Sequence, residues 1–519
     1  MKLNSKYSLY VLPFLLVIAI LLYIRLKLVF SYSLDLVGLE YYFIHIVQQL
    51  AAGQAIYPNP EALPYANCLY TPVYFYIYRI AVSCLHINVF DDIYTLLVLG
   101  RILSIVFVTA QIVYLIKFAR LFSKSRIIQI AAIAFYLLLI TEMMFAVRPD
   151  SLKVFFFMVF VYHLLLYVDR TATLKDGIIC VAAAAFAVYT KQDISVHISL
   201  CFITAILLSR NKKIIGLFSA FLIICGVVFF ISIGFYGKYF FHNIVFFNIQ
   251  SVTNLSTSFN LFFISISIFR TIPFLLLTVL NGRILAKTNA HAKEKFIYIY
   301  AVLLYFLAHL SMLRAGSNFN YTFELIVLLV LNFIVFCSIY KNKILEKRIT
   351  ATVTTAFFIC FYLIINGIIG NYSYKSEKEK LKKEAYTKML KSRKEIKETI
   401  GNAYTFFPNT LYSVFYIDKH IILGHDMHLD RFIKLYFTFD MPFNFDIKSK
   451  LPYINTTEYD RNFTDGTITY VITDNTKKSA EHVAFYYPAY KYYKTIDNMI
   501  LYKFRDKEVS MPSIKTDFK

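Results

Sequence analysis

Apolar runs of membrane-spanning length recur along this chain, and no other feature limits its fold so sharply. They lie near residues 8–30, 94–117, 126–146, 151–168, 175–191, 193–209, 213–235, 259–281, 295–313, 322–340 and 349–370. A run of about 20 apolar residues matches the hydrocarbon core of a bilayer. There every backbone N–H and C=O must be paired within the segment, so the run is helical. Apolar residues make up 58% of the 519-residue chain, beyond the usual range of soluble proteins. The expected fold class is a polytopic α-helical membrane protein with about 11 transmembrane helices.

The formal net charge of +22 does not call for nucleic acid. Within residues 1–370, most Lys and Arg fall in short loops between the apolar runs, where such residues set topology. Those loops hold Lys117, Arg120, Lys124 and Arg126; Arg170 and Lys175; Arg210, Lys212 and Lys213; Arg283, Lys287, Lys293 and Lys295; and Lys341, Lys343, Lys347 and Arg348. With alternating spans all of them share one side. That side is expected to be cytoplasmic, with the N-terminus inside and residues 371–519 outside. Arg25 and Lys27, near the other end of the first span, run against the rule. Lys2 and Lys6 precede the first run, but no small-residue cleavage site follows it, so a retained signal anchor is expected.

Two regions follow: a membrane domain over residues 1–370, and a polar region over 371–519 with no spanning run. The second opens with a Lys- and Glu-rich helical stretch, Ser376 to Ile400. Short strand-like runs come next, among them Ala403–Phe407, Thr467–Thr473 and Met499–Phe504, with helical character at Leu429–Tyr436. A small extracytoplasmic α/β domain is expected. It contains no Gly-rich phosphate loop, paired CxxC or HExxH. Within the membrane domain, residues 31–93 form the longest loop, and Tyr74–Leu85 in it reads as a helix lying at the interface. Of the seven cysteines, Cys68 and Cys84 share that loop and are a candidate disulfide pair.

On this topology a short set of charged residues gathers at span ends on the outer side. Asp35 and Glu40 follow the first span, and Arg148 and Asp150 precede the fourth. Lys191 and Asp193 join the fifth and sixth, Lys238 and His242 follow the seventh, and Arg314 and Glu324 flank the ninth and tenth. Ionisable groups near hydrocarbon are costly and mark functional sites by default. Each also has a plainer role. Asp35 can solvate the end of the first span, and Arg148-Pro149-Asp150 can be a turn that caps the next helix. Lys191 and Arg314 can snorkel, and His242 can be an interfacial histidine. Together they suit an anionic lipid headgroup, with Arg and Lys neutralising phosphate and a carboxylate serving as general base.

Several stretches carry a family resemblance. Glu40-Tyr-Tyr-Phe-Ile-His-Ile-Val-Gln-Gln-Leu50-Ala-Ala-Gly53-Gln-Ala-Ile-Tyr57 and Tyr70-Thr-Pro72-Val-Tyr74 resemble the first outer loop of GT-C glycosyltransferases. The similarity is to polyprenyl-phosphate-sugar-dependent enzymes akin to protein O-mannosyltransferases (glycosyltransferase family 39) and lipid A aminoarabinose transferases. Gly100-Arg101-Ile-Leu-Ser104, Arg148-Pro149-Asp150, Thr190-Lys191-Gln192 and Gly316-Ser-Asn-Phe-Asn320-Tyr321-Thr-Phe-Glu324 resemble the same group. One departure stands out. Many members carry adjacent Asp-Glu in this loop, whereas Leu39 precedes Glu40 here.

The resemblance implies an inverting hexosyl- or pentosyltransferase of the cell envelope, embedded in the inner or plasma membrane. A polyprenyl-phosphate-linked sugar would be its donor, and a glycan, lipid or protein its acceptor. Glu40 or Asp35 would be the base, and Asp150 would orient cations, hold the acceptor or bind a metal. Arg148, Lys191, Arg314 and His242 would hold the donor phosphate. Tyr57, Tyr74, Asn320, Tyr321 and Glu324 would lie in the substrate loops. No cofactor is certain, and a divalent metal stays open. The competing expectations are a transporter or flippase of lipid-linked saccharides, and a non-catalytic scaffold.

Overall fold

The structure is a computed structural model. It describes residues 5–33, 36, 40–59, 62–63, 68–246, 257–287, 291–312, 319–340, 379–407, 419–423, 457–475, 480, 483–484 and 487–505. The chain divides into two compact units, one of Met1–Phe43, Leu69–Ile87 and Tyr94–Lys382, the other of Ile44–Cys68, Asn88–Ile93 and Lys383–Lys519.

The first unit is helical. Its long helices are α1 (Ser5–Val29), α4 (Ile93–Phe122), α5 (Arg126–Leu139), α6 (Asp150–Val168), α7 (Leu174–Thr190), α8 (Ile194–Ser209) and α9 (Lys212–Tyr236), followed by α11 (Thr257–Lys287), α12 (Ala292–Ser311) and α13 (Phe323–Tyr340). Shorter ones are α2 (Glu40–Ala51), whose first turn belongs here, α3 (Val73–Cys84) and α10 (Lys238–Phe241). Among the described residues seven helices are long and apolar enough to cross a membrane. Every expected span up to 322–340 coincides with a helix. The span expected at 349–370 lies outside the described residues. The loop expected over residues 31–93 contains α2, and its interfacial helix corresponds to α3.

Local chemistry sets the helix ends. Pro149 stands at the N-cap of α6 and Asp150 in its first turn, where proline forfeits no helical N–H bond and a carboxylate meets the positive helix end. Thr173 and Asp176 close a capping box on α7. Gly237, at φ +74°, ends α9 in a left-handed conformation that suits glycine. α5 stops at Leu139, short of the expected 146. Two guanidiniums, Arg25 buried and Arg270 half-buried, explain the early end. Arg25 Nη2 donates to the Ile140 carbonyl at 3.1 Å and Arg270 Nη2 to the Leu139 carbonyl at 3.0 Å, taking up last-turn acceptors of the helix. Residues 141–149 are thereby freed to approach α4. Gly100 of α4 permits that approach, since a Cβ there would meet the Val147 side chain at 2.8 Å.

The core runs through α5, α6, α8, α12 and α13, with Phe135, Phe157, Phe202, Tyr300 and Leu329 buried in one cluster. On α9, by contrast, Ile223, Phe230 and Phe235 are exposed, as an apolar helix facing lipid would leave them.

The second unit carries a mixed five-stranded sheet of β1 (Thr405–Phe407), β2 (Ile421–Leu423), β3 (Tyr470–Asp474), β4 (Tyr490–Ile496) and β5 (Met499–Phe504). The order is β2-β1-β3-β5-β4, parallel from β2 to β3 and antiparallel beyond. Phe406, Ile422, Phe463, Val471 and Tyr487 form its core, and Leu63 packs against it. The charged helix expected after the last span is α14 (Glu379–Ile400), and α15 (Thr457–Thr464) precedes β3. The helical stretch expected at Leu429–Tyr436 lies outside the described residues. Cys68 is buried and Cys84 exposed, and the candidate disulfide between them is not formed.

Candidate functional site

The site grows from two buried ionic assemblies in the helical unit. The first centres on Glu40, the opening residue of α2. Its carboxylate is fully buried. Oε1 accepts from Arg101 Nε at 3.0 Å and from the Val147 amide at 2.8 Å. Oε2 accepts from Arg101 Nη2 at 2.8 Å and from the Leu36 amide at 2.7 Å. A carboxylate offers about four lone-pair positions, and these four donors match them. Arg101 in turn donates to the carbonyls of Ser31 at 2.8 Å and Ser33 at 2.6 Å. Ser104, one turn along α4, donates to the Ala146 carbonyl at 2.7 Å. Glu40, Arg101 and Ser104 therefore fix both the start of the first loop and the backbone that leads into Arg148.

The second assembly is a chain of alternating charges. Arg148 Nε donates to Asp150 Oδ2 at 2.9 Å, and Lys191 Nζ to Asp150 Oδ1 at 2.8 Å. Lys191 Nζ also stands 3.5 Å from Asp193 Oδ2, which is 3.5 Å from Lys153 Nζ. Lys153 Nζ reaches Glu324 Oε1 at 2.8 Å, an ion contact, and Glu324 Oε2 faces His197 Nδ1 at 3.8 Å. Arg148, Asp150, Lys191, Lys153 and Glu324 are all buried. Such a chain survives burial only because each charge has an opposite neighbour.

Aromatic faces surround these cations. Lys191 lies 5.6 Å from the Tyr70 ring and 5.8 Å from the Tyr321 ring, and Arg148 lies 5.8 Å from Phe43. In the connector between α7 and α8, burial works against the charge of Lys191. The Asp150 and Asp193 carboxylates outweigh it and hold the ammonium above the usual lysine range. Burial likewise works against the Asp193 carboxylate, while Lys153 and Lys191 hold it below the usual range. Both groups stay charged at neutral pH.

A long apolar groove lies in the same unit. It encloses about 690 Å³. One wall is a stripe of α7 from Leu174 to Tyr189, the other a stripe of α9 from Leu217 to Tyr236. At 1.5 Å per residue the α7 stripe is about 22 Å long, most of a bilayer's hydrocarbon depth. Pro72 and Val73 close one end. They belong to the stretch whose Tyr70 faces Lys191, and that stretch is pinned to α7 and its connector. Thr71 Oγ1 donates to the Val188 carbonyl at 3.0 Å, and Gln192 Nε2 to the Leu69 carbonyl at 2.6 Å.

The structure thus brings Arg148, Asp150, Lys191 and Glu324 into one chain, with Tyr321 at its side and Asn320 buried in the same short 3₁₀ turn, Phe319–Thr322. Glu40 belongs to the neighbouring clamp, and Tyr74 is buried in α3. Tyr57 is buried in the second unit. Asp35 and Arg314 lie outside the described residues, and so does the side chain of His242, whose backbone forms a π-helical turn, His242–Phe246. Sequence reasoning missed Lys153 and His197. The signal for Lys153 was its place three residues after Asp150, on the same face of α6. Among the described residues, no three His, Cys, Asp or Glu side chains converge as a metal site. Asp150 and Glu324 are turned toward lysines, which does not suit a divalent cation.

No protein-family model matches the chain, and no curated protein matches it. Solved structures do. ArnT from Cupriavidus metallidurans bound to undecaprenyl phosphate superposes with a TM-score of 0.58 at 11% identity, over 94% of this chain and 97% of that one. Its apo form gives 0.54 at 12% identity over the same shares. An Archaeoglobus fulgidus oligosaccharyltransferase, solved with zinc and sulfate, gives 0.48 at 10% identity, over 94% of this chain and 73% of that one. The described fold is therefore similar to that of ArnT.

Proposed function

We propose that the protein is an integral-membrane glycosyltransferase that moves a sugar from a polyprenyl phosphate to an acceptor at the extracytoplasmic face. The observation that carries this reading is the buried pair Arg148 and Lys191, held on the two oxygens of Asp150, in a unit that also has a membrane-length apolar groove between α7 and α9. A polyprenyl phosphate needs both parts, an apolar channel for its tail and a cationic end for its phosphate. The ArnT fold, which in one solved structure holds undecaprenyl phosphate, supports the same assignment.

In the proposed reaction the isoprenoid tail lies between α7 and α9, and the phosphate meets Arg148 and Lys191. Asp150 spaces the two cations and keeps them charged. An acceptor hydroxyl or amine attacks the anomeric carbon from the face opposite the phosphate and gives its proton to a carboxylate. The bond between anomeric carbon and phosphate oxygen breaks, and polyprenyl phosphate departs with the electron pair. Fixed cations stabilise the charge that grows on that oxygen. Attack from the opposite face inverts the anomeric configuration. No residue of the chain Arg148–Glu324 is needed as a metal ligand.

The base is assigned to Asp35. Glu40 already receives four donors, so its lone pairs are committed to Arg101 and two amides. We assign Glu40 the task of holding the first loop, and proton transfer to Asp35, five residues upstream. The test is release of polyprenyl phosphate from a panel of polyprenyl-phosphate hexoses and pentoses by purified protein in liposomes. The expected result is release that depends on an added acceptor and stops in Asp35→Asn. Movement of intact donor across the bilayer without release would replace this reading with a flippase.

A further inference from the structure

The segment that joins α1 to the first loop is held through both its acceptors and its donors. Arg101 takes its acceptors, the carbonyls of Ser31 and Ser33. The donors of the same segment go elsewhere. Ser31 Oγ donates to Glu379 Oε2 at 2.8 Å, and the Tyr32 amide donates to Glu379 Oε1 at 2.5 Å. The Ser33 amide donates back to Ser31 Oγ at 3.1 Å, which extends the hold by one residue. Tyr94 supplies a third tie. Its hydroxyl donates to the Phe30 carbonyl at 2.9 Å, and its ring stacks on Tyr32 with centroids 4.3 Å apart.

Glu379 opens α14, nearly 350 residues beyond Ser31. A carboxylate in the first turn of a helix is itself held by that helix's positive end. Its two oxygens accept from one short segment, and Oε2 also stands 3.8 Å from Lys382 Nζ one turn along the same helix. Arg101 binds that segment and Glu40 with the same guanidinium. A shift of residues 31–33 would move the Arg101 fork and, through it, the Glu40 carboxylate and the loop between them. Displacement by about 1 Å in a catalytic constellation can cost a factor of about a hundred in rate.

We infer that Glu379 is a positioning residue for the first loop, acting through Ser31, Tyr32 and Arg101 on the setting of Glu40. The site would then depend on the helix that follows the last span, as well as on the membrane helices. This inference rests in part on the transferase reading, so its test has one arm that does not need turnover. The first arm is hydrogen–deuterium exchange of purified full-length protein in nanodiscs. Glu379→Ala is expected to raise amide exchange across residues 30–41 by about tenfold or more, as lost hydrogen bonds open the segment, with exchange in α6 and α8 unchanged. Glu379→Gln, which keeps an acceptor oxygen, is expected to fall between. Wild-type exchange over residues 30–41 in Glu379→Ala would overturn the inference.

The second arm is kinetic. Glu379→Ala is expected to lower kcat about ten- to a hundred-fold with donor KM nearly unchanged, and Glu379→Gln to recover part of the loss. An unchanged kcat in a variant whose exchange has risen would also overturn it. Absence of turnover in the wild type would count against the transferase reading alone, and the exchange result would still decide the role of Glu379.

Discussion

Lys191 Nζ lies 2.8 Å from Asp150 Oδ1, although Asp150 opens α6, Lys191 follows the end of α7, and the two stand 41 positions apart in sequence. Both are buried. Removing one partner leaves the other charge uncompensated, which costs about 3–5 kcal/mol in comparable pairs. Asp150→Ala is therefore expected to lower the thermal unfolding temperature markedly in detergent, and Lys191→Met with Asp150→Asn to restore much of it. A double variant no more stable than Asp150→Ala would mean that the pair is not the source of the loss.

Glu40 and Asp35 are expected to separate by stability. Glu40→Gln breaks a buried bidentate pair with Arg101, so it should lose both transfer and stability, the latter by about 3–5 kcal/mol. Asp35→Asn should lose transfer with an unfolding temperature close to the wild type. Full activity in Asp35→Asn would return the base role to Glu40.

The groove between α7 and α9 should respond to bulk. Ala182→Phe places a ring on the α7 stripe. The expected effect is a rise in KM for a long polyprenyl donor, about tenfold, with little change for a short-chain analogue that does not reach the groove. Equal effects on both donors would take the tail out of this groove.

Acid should weaken the charge chain through Asp193. Its folded carboxylate titrates below the ordinary range because Lys153 and Lys191 outweigh burial. A depressed folded value means that its contribution is complete above the unfolded value, near ~4, and is lost as pH falls through the folded one. Asp193→Asn should accordingly flatten the loss of stability between about pH 5 and pH 2. A variant with the wild-type slope would show that Asp193 is not coupled to these lysines.

Much of the fold could be read from the chain itself, because bilayer-length apolar runs admit little besides helices. Each expected span through 322–340 coincides with a helix, and of the expected charged residues Arg148, Asp150, Lys191, Asp193 and Glu324 gather in one chain. The end of α5 could not be read that way. After Thr141 and Glu142, residues 143–147 are as apolar as the helix before them, and what stops it is a tertiary event, the arrival of Arg25 and Arg270 at its last carbonyls. Those two arginines, which ran against the loop-charge pattern or sat inside a span, were its only local trace. Lys153 was hidden for a related reason. It lies inside an apolar run, and only the partners Asp193 and Glu324, from other helices, explain a cation there. The loop over residues 31–93 concealed α2, whose aromatic and apolar stripe is short and follows no turn signal stronger than Gly38.

The central claim is that Arg148 and Lys191 hold the phosphate of a polyprenyl lipid. It is tested most directly by binding of radiolabelled undecaprenyl phosphate to purified protein in nanodiscs, compared between the wild type and Arg148→Ala. Saturable binding that weakens about tenfold or more in the variant, with its unfolding temperature largely kept, is the predicted result. Binding of equal strength in both proteins, or none that saturates in the wild type, would contradict it.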